Sequence, residues 1–469
     1  MHPHRRSLVL SVLLCAPSAA FAQVQGPSSS QSPYLLPVAP GVSTVSILTV
    51  GDSPDSDPNY RMVGIPDGMG AYRTSVNRVR LLLNHELQAA AGVVRAHGQT
   101  GAFVSEWSIR RTDLRVLVGA DLIQNTHLVS GGPALGRLCS ADLADSSAYY
   151  LFGDLPFNPR IYLNGEEVGS EGRAFAHIAT GPAKGHSYEL PALGKMSFEN
   201  QVARPGFSLR TVVGLTDDST PGQVYMYIGQ KSLFGNPLER AGLTGGHLFG
   251  VRVPGVAVED RTGGINGQTR FELADLGDVS AQTGAQIDAS SVAAGVTNFL
   301  RPEDVCWDSA QPRRFYFVTT DRFNSATQVG RSRLWRLTFD SFFQPQLGGT
   351  IEMLLDGTEG QQMFDNLTID RHGNLLIQED PGNQAYLAAV WHYDTHTDVL
   401  TKIAQHDASR FVTGAANFLT QDEESSGVID ASGILGDGWF LLNVQAHYAT
   451  DSELVEGGQL LALYNPASH

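Results

Sequence analysis

The chain has 469 residues, of which 42% are hydrophobic and 17% charged, with 50 Gly and 23 Pro. That is enough apolar material for one large core or two smaller ones, and the glycine and proline content suits many short strands joined by tight turns. A formal net charge of −16 argues against nucleic acid and anionic membrane as partners, but bound cations can reverse the field locally for an anionic substrate.

Residues 1–22 read as a secretory signal. Arg5 and Arg6 form the charged start, Leu8 to Leu14 the apolar run, and Ala20-Phe21-Ala22 a small-x-small cleavage site. Arg5-Arg6-Ser7-Leu8 is also a partial twin-arginine signal. The reading is a soluble, periplasmic or secreted protein, with no membrane span. Residues 23–40, rich in Gln, Ser and Pro, are expected to be a flexible leader, and 41–469 a single domain.

From about Val45 onward, short β-rich runs alternate with turn residues, with short helices expected near 105–122 and 235–243. Six runs share one feature: an apolar strand ends on a polar cluster, usually with an acid. They are Val79–Glu86, Ile161–Glu167, Thr211–Asp218, Phe315–Asp321, Leu375–Asp380 and Phe440–His447. The stretch 255–295 looks like a long excursion. The clearest repeat unit is Phe364 to Asp380, a hairpin turning at His372-Gly373-Asn374. Looser copies start at Phe198-Glu199-Asn200 and at Arg301-Pro302-Glu303-Asp304. Repeated hairpins that deliver polar residues to one end predict an all-β fold, a β-propeller with six blades and insertions between them.

Acids recur where strands begin (Glu199, Glu303, Asp304, Asp365, Glu423, Glu424) and where they end. Clustered carboxylates repel, and hard cations relieve the repulsion; a calcium ion takes about 6–8 oxygens. Cys139 and Cys306 remain after the signal. From the residues alone Cys139 is half of a disulfide, a buried thiol, or a thiolate ligand to a softer metal such as iron. Arg301 lies two residues before Glu303, on the same strand face. It pairs with the acids or grips a phosphate with its fork. There is no P-loop, no Gly-x-Ser-x-Gly elbow and no H-E-x-x-H motif.

Together these motifs resemble the PhoX family of bacterial alkaline phosphatases over about residues 60 to 460. Arg301-Pro302-Glu303-Asp304 carries the most specific likeness. Asn84-His85-Glu86, Cys139 with Glu166-Glu167, Leu193 to Glu199, Val212 to Asp218, Gly242 to Leu248, Asp365-Asn366-Leu367, Glu379-Asp380 and Gln445-Ala446-His447 add to it. The chain departs from the family pattern in the spacing from Cys139 to its Glu pair and in Phe198, which stands where the family has His. The resemblance implies a six-bladed propeller that hydrolyses phosphate esters with iron and calcium. It implies that Arg301 and Glu303 are catalytic, and that Cys139, Glu199 and Glu303 bind iron or bridge metals. Glu86, Glu166, Glu167, Asp217, Glu379 and Glu424 follow as calcium ligands or their supports. The expected function is thus an exported metal-dependent phosphomonoesterase, a monomer acting on a small phosphorylated substrate. A calcium-dependent propeller lactonase or esterase, and a non-catalytic ligand-binding propeller, are the alternatives.

Overall fold

The computed structural model describes residues 22–153, 155, 158–261, 264–321 and 330–468. Apart from Ala22, the expected signal lies outside the described residues. Six inner strands stand side by side around an axis: Pro66–Ser75, Leu138–Asp142, Phe198–Ala203, Pro302–Trp307, Phe364–Ile369 and Glu423–Asp430. Each contacts the next, and the sixth returns to the first. From each, an antiparallel meander runs outward, giving six blades, I to VI, and the propeller expected from the repeats.

The six acid-tipped runs are the second strands of these blades: Arg78–His85, Ile161–Glu166, Arg210–Asp217, Arg314–Thr319, Asn374–Glu379 and Trp439–Ala449. They are almost wholly buried because both of their faces pack against neighbouring blades, so they read as continuous apolar runs rather than alternating ones. Each pair of adjacent blades shares a core. Leu82, Val104, Tyr162 and Phe175 lie between blades I and II, and Val212, Phe317 and Trp335 between III and IV. The hairpin expected at His372-Gly373-Asn374 is present, with Gly373 at φ 88; only a residue free of Cβ strain sits comfortably there.

Two expectations fail. Residues 23–40 are not a flexible leader. Ala22–Gln25 pairs in parallel with Ser43–Thr49, and Leu35–Pro37 pairs with the outer strand Val399–His406 of blade V. Ser43–Thr49 in turn lies antiparallel to Glu456–Tyr464, so the chain's N-terminal part completes blade VI. The helix expected near 105–122 is a hairpin, Phe103–Arg110 with Val116–Asp121. Leu114 at φ 60 makes its turn, and burial of Trp107 against blade VI overrides the local pattern. The helix near 235–243 is real but short, Pro237–Arg240, with a capping box from Asn236 and Glu239. The excursion at 255–295 supplies Gln268–Gly277, which joins the outer edges of blades III and IV into one sheet, and the helix Gly284–Ala294. Among the described residues no helix is long and apolar enough to cross a membrane.

Candidate metal and phosphate site

One repeated piece of backbone geometry builds the site. In every blade the first residue of the inner strand pairs with a residue near the end of the second strand: Pro66 with His85, Leu138 with Glu166, Phe198 with Asp217, Pro302 with Thr319, Phe364 with Glu379 and Glu423 with Ala446. The next residue on each side faces the axis. On the inner strands these are Asp67, Cys139, Glu199, Glu303, Asp365 and Glu424. On the second strands they are Glu86, Glu167, Asp218, Thr320, Asp380 and His447. The two sets form stacked layers of six around the axis.

In blades I to V the register slips directly after the first inner residue, a β-bulge that frees the ligand-bearing residue from the ladder and re-aims it. In four blades the residue before the inner strand is also left-handed without being glycine: Ile65 (φ 49), Arg137 (φ 37), Arg301 (φ 54) and Met363 (φ 54). Each such residue costs on the order of 1 kcal/mol. Paying it at four equivalent places marks this end of the propeller as the functional one. Gly68 permits a close approach, since a Cβ there would lie 2.4 Å from the Ala141 nitrogen of blade II.

Three groups of side chains can each converge on one cation: Asp67, Glu86 and Cys139; Cys139, Glu167 and Glu199; and Glu199, Glu303 and Asp365. Within each, the ligand atoms lie within 4.8 Å of one another. Cys139 belongs to the first two groups and Glu199 to the last two, so the groups form one chain with shared ligands. Cys139 Sγ donates to Glu199 Oε2 at 3.1 Å. Both cysteines are free and buried, which removes the disulfide alternative. Asn366, donating to Glu199 and Asp365, and Ser140, donating to Glu199 at 2.8 Å, hold the floor of the site in place.

Two arginines face the acids. Arg301 donates from Nε and Nη2 to the two oxygens of Asp218, each at 2.8 Å, and Nη2 lies 3.1 Å from Glu303. Arg137 donates from Nε to Glu86 at 2.7 Å, and its Nη2 bridges Glu86 and Glu167. His447 donates to Glu456 and lies 3.9 Å from Glu424.

The two layers hold nine carboxylates, and Arg301, Arg137 and His447 are the three cationic side chains that meet them. Two carboxylates 4.8 Å apart repel by about 3.5 kcal/mol at an effective dielectric near 20. Asp67, Glu199, Glu303 and Asp365 respond alike. Burial is the largest cause and neighbouring carboxylates add to it, so each pKa is pushed well above the usual range. The Cys139 thiol is pushed up for the same reasons. Burial would also raise Glu86 and Asp218, but Arg137 and Arg301 outweigh it and hold them low. Burial acts to lower His447, yet Glu424 and Glu456 push it up to about 11, so it stays protonated. Glu303 Oε2 is buried with no hydrogen-bond partner among the described residues. Shared carboxylates, an orphaned oxygen and a sulfur within one buried cluster fit multivalent cations, which would restore the charged forms.

The expected site residues divide cleanly. Arg301, Glu303, Cys139, Glu199, Glu86, Glu167 and Glu424 all come together. Glu166, Asp217 and Glu379 do not. Each is the paired residue one position before the axial one and is turned by strand alternation away from the axis, onto partners of its own blade. Glu166 is clasped by Arg173 at 2.6 and 2.7 Å. Asp217 accepts from the Ser197 amide and the Ser219 hydroxyl. Glu379 accepts from Trp391 Nε1 and Tyr386. Their neighbours Glu167, Asp218 and Asp380 take the axial places. Asp67 and Arg137 are new to the site.

No protein-family model matches the chain, and no curated protein matches it. Among solved structures it is similar to Pseudomonas fluorescens PhoX in complex with vanadate, a transition-state analogue. The identity is 12%, the coverage 96% of this chain and 98% of that one, and the TM-score 0.62. The propeller architecture is thus shared along nearly the full length of both. A putative 6-phosphogluconolactonase from Bacteroides uniformis (11% identity, 69% and 80% covered, TM-score 0.34) and a gluconolactonase from Xanthomonas campestris (10%, 86% and 97%, TM-score 0.31) also match. At those TM-scores neither carries an argument.

Proposed function

We propose that this protein is an exported, metal-dependent phosphomonoesterase acting on small phosphorylated substrates. The observation that carries the reading is Arg301, held by two carboxylates at the edge of three linked cation-binding groups. A guanidinium beside clustered cations is an arrangement built for a phosphoryl group. The full-length fold likeness to PhoX, whose structure holds a transition-state analogue, and the motif resemblance around Arg301 support it.

Asp67, Glu86, Cys139, Glu167, Glu199, Glu303 and Asp365 are the residues that would hold the metals, with calcium on the oxygen-only side and iron at the thiolate. Bound there, the cations supply Lewis-acid neutralisation of phosphate charge and activation of water. The chain's own residues do the rest. Arg301 binds a phosphate oxygen through Nη1, which has no partner among the described residues, while Asp218 and Glu303 fix its plane. Protonated His447 keeps positive charge and a hydrogen-bond donor at the rim. No side-chain nucleophile is required.

The test is hydrolysis of p-nitrophenyl phosphate by purified protein with and without chelator, alongside elemental analysis. Chelator-sensitive hydrolysis by protein containing iron and calcium is expected. A metal-replete protein inert toward every phosphate ester, or one carrying a single calcium and opening lactones, refutes the reading.

A further inference from the structure

Arg137 is left over when the cation groups and the phosphate grip are assigned. It occupies the same place in blade II that Arg301 occupies in blade IV. Each precedes the first inner-strand residue, each is left-handed (φ 37 and φ 54), and each lies two residues before a ligand of the first layer, Cys139 or Glu303. The two are held alike. Nε and Nη2 of Arg301 are taken by Asp218 and Glu303, and Nε and Nη2 of Arg137 by Glu86 and Glu167. In both, the same edge is pinned by two carboxylates, and Nη1 has no partner among the described residues. Arg137 is the more open, with 36% of its side chain exposed against 21% for Arg301.

The heads belong to one site. Glu167, held by Arg137, and Glu303, held by Arg301, each place an oxygen within 4.8 Å of a Glu199 oxygen. Glu167 also lies close enough to Asp218, the other anchor of Arg301, for the Asp218 charge to raise its pKa, so Glu86, Arg137, Glu167, Asp218, Arg301 and Glu303 form one continuous charged cluster. A salt bridge alone would not need this construction. Glu86 and Glu167 could be neutralised by any cation, whereas a planar fork fixed on one edge presents its other edge in a set direction.

Resting on the phosphatase reading, we infer that Arg137 forms a second anion subsite. The substrate is then a phosphate ester that carries a second anionic group, a carboxylate or another phosphate, close to the first. Arg301 takes the transferred phosphate and Arg137 the group that stays behind.

The test is equilibrium binding of 2-phosphoglycolate and of methyl phosphate to metal-loaded protein, wild type and Arg137→Gln, with metal content measured for both. One charge-assisted hydrogen bond is worth about 1.5–3 kcal/mol, so 2-phosphoglycolate is expected to bind about 10- to 100-fold tighter than methyl phosphate. The ratio should collapse to near one in Arg137→Gln and recover in part in Arg137→Lys. Because it is a ratio within one protein, metal lost from the variant cancels. Equal binding of the two ligands by the wild type, or an unchanged ratio in Arg137→Gln, overturns the inference. Hydrolysis of p-nitrophenyl phosphate followed in parallel bears on the phosphatase reading alone.

Discussion

Asp218→Asn tests how the phosphate grip is made. Asp218 accepts both Nε and Nη2 of Arg301 at 2.8 Å, and the pair is nearly buried, with 7% and 21% of the two side chains exposed. The amide is isosteric but accepts on one atom only, and its NH2 group faces a guanidinium donor. Removing a carboxylate also relieves repulsion in a crowded acid cluster, so the two effects compete. The depressed pKa of Asp218 decides between them. Burial would raise it, and Arg301, with Glu167 and Arg137 adding to its effect, outweighs burial. The loss therefore dominates, and breaking one partner of a buried charged pair costs about 3–5 kcal/mol. If half or more of that is expressed in the transition state, kcat/KM for p-nitrophenyl phosphate falls by roughly 10- to 10³-fold. The assay is steady-state phosphate release with elemental analysis of the same preparation. A variant within about threefold of wild type at unchanged metal content would show that Asp218 does not position Arg301 for turnover.

Glu199→Gln removes a ligand shared by two cation groups, so elemental analysis is expected to show more than one metal equivalent lost, with hydrolysis lost alongside. Chelation should make stability newly pH-dependent. Burial raises the folded-state pKa of the axial Glu424 to about 7, so its stabilising proton is present at low pH and lost as pH rises through that value. The melting temperature of the chelated protein, relative to the loaded one, is expected to fall between about pH 4.5 and 7; a constant gap refutes this. The opposite sign applies to His177, buried between Ser187 and Asn164 with its pKa lowered to about 3. The unfolded chain takes up that proton first, so stability falls as pH drops from about 6.5 toward 3. In His177→Gln the acid slope should flatten by one proton in urea melts across that range.

Much of this architecture is written in the sequence as a repeat. Leu81 to Leu83, Val212 and Val213, Phe315 to Val318 and Leu375 to Ile377 are second strands buried on both faces, and double-sided burial makes them plainly legible. The acids at strand ends are legible as a set but not one by one. Glu166, Asp217 and Glu379 stand directly beside the true axial residues, and a period of two sends neighbours to opposite faces, so a one-residue difference in where the axis meets the strand exchanges ligand for packing residue. That register is fixed by the bulges, which have no strong sequence signature. Asp67 sits in Ile65-Pro66-Asp67-Gly68, which reads as a turn. Set against Arg301-Pro302-Glu303 it shows the same order of bulky residue, proline and acid, and that comparison could have found it. Arg137 escaped because a single arginine in a Gly-rich stretch carries no signal until its backbone is placed. The N-terminal strands were hidden because runs of three or four residues carry no pattern of their own: Ala22–Gln25 owes its order to Ser43–Thr49 and Leu35–Pro37 to Val399–His406, while Ser43–Thr49 itself pairs with Glu456–Tyr464, more than 400 residues away.

That distant pairing has a consequence for how the site comes into being. Ser43–Thr49 and Glu456–Tyr464 latch the ring, and all six blades contribute to the two axial layers. With the ring open, the two layers would be split and their carboxylates free to hydrate. Closing the ring is what forces the negative charges together. If cations fill these groups as proposed, folding and cation capture would be opposite halves of one step, and a protein missing either end would be expected to lose its metals as a whole rather than one at a time.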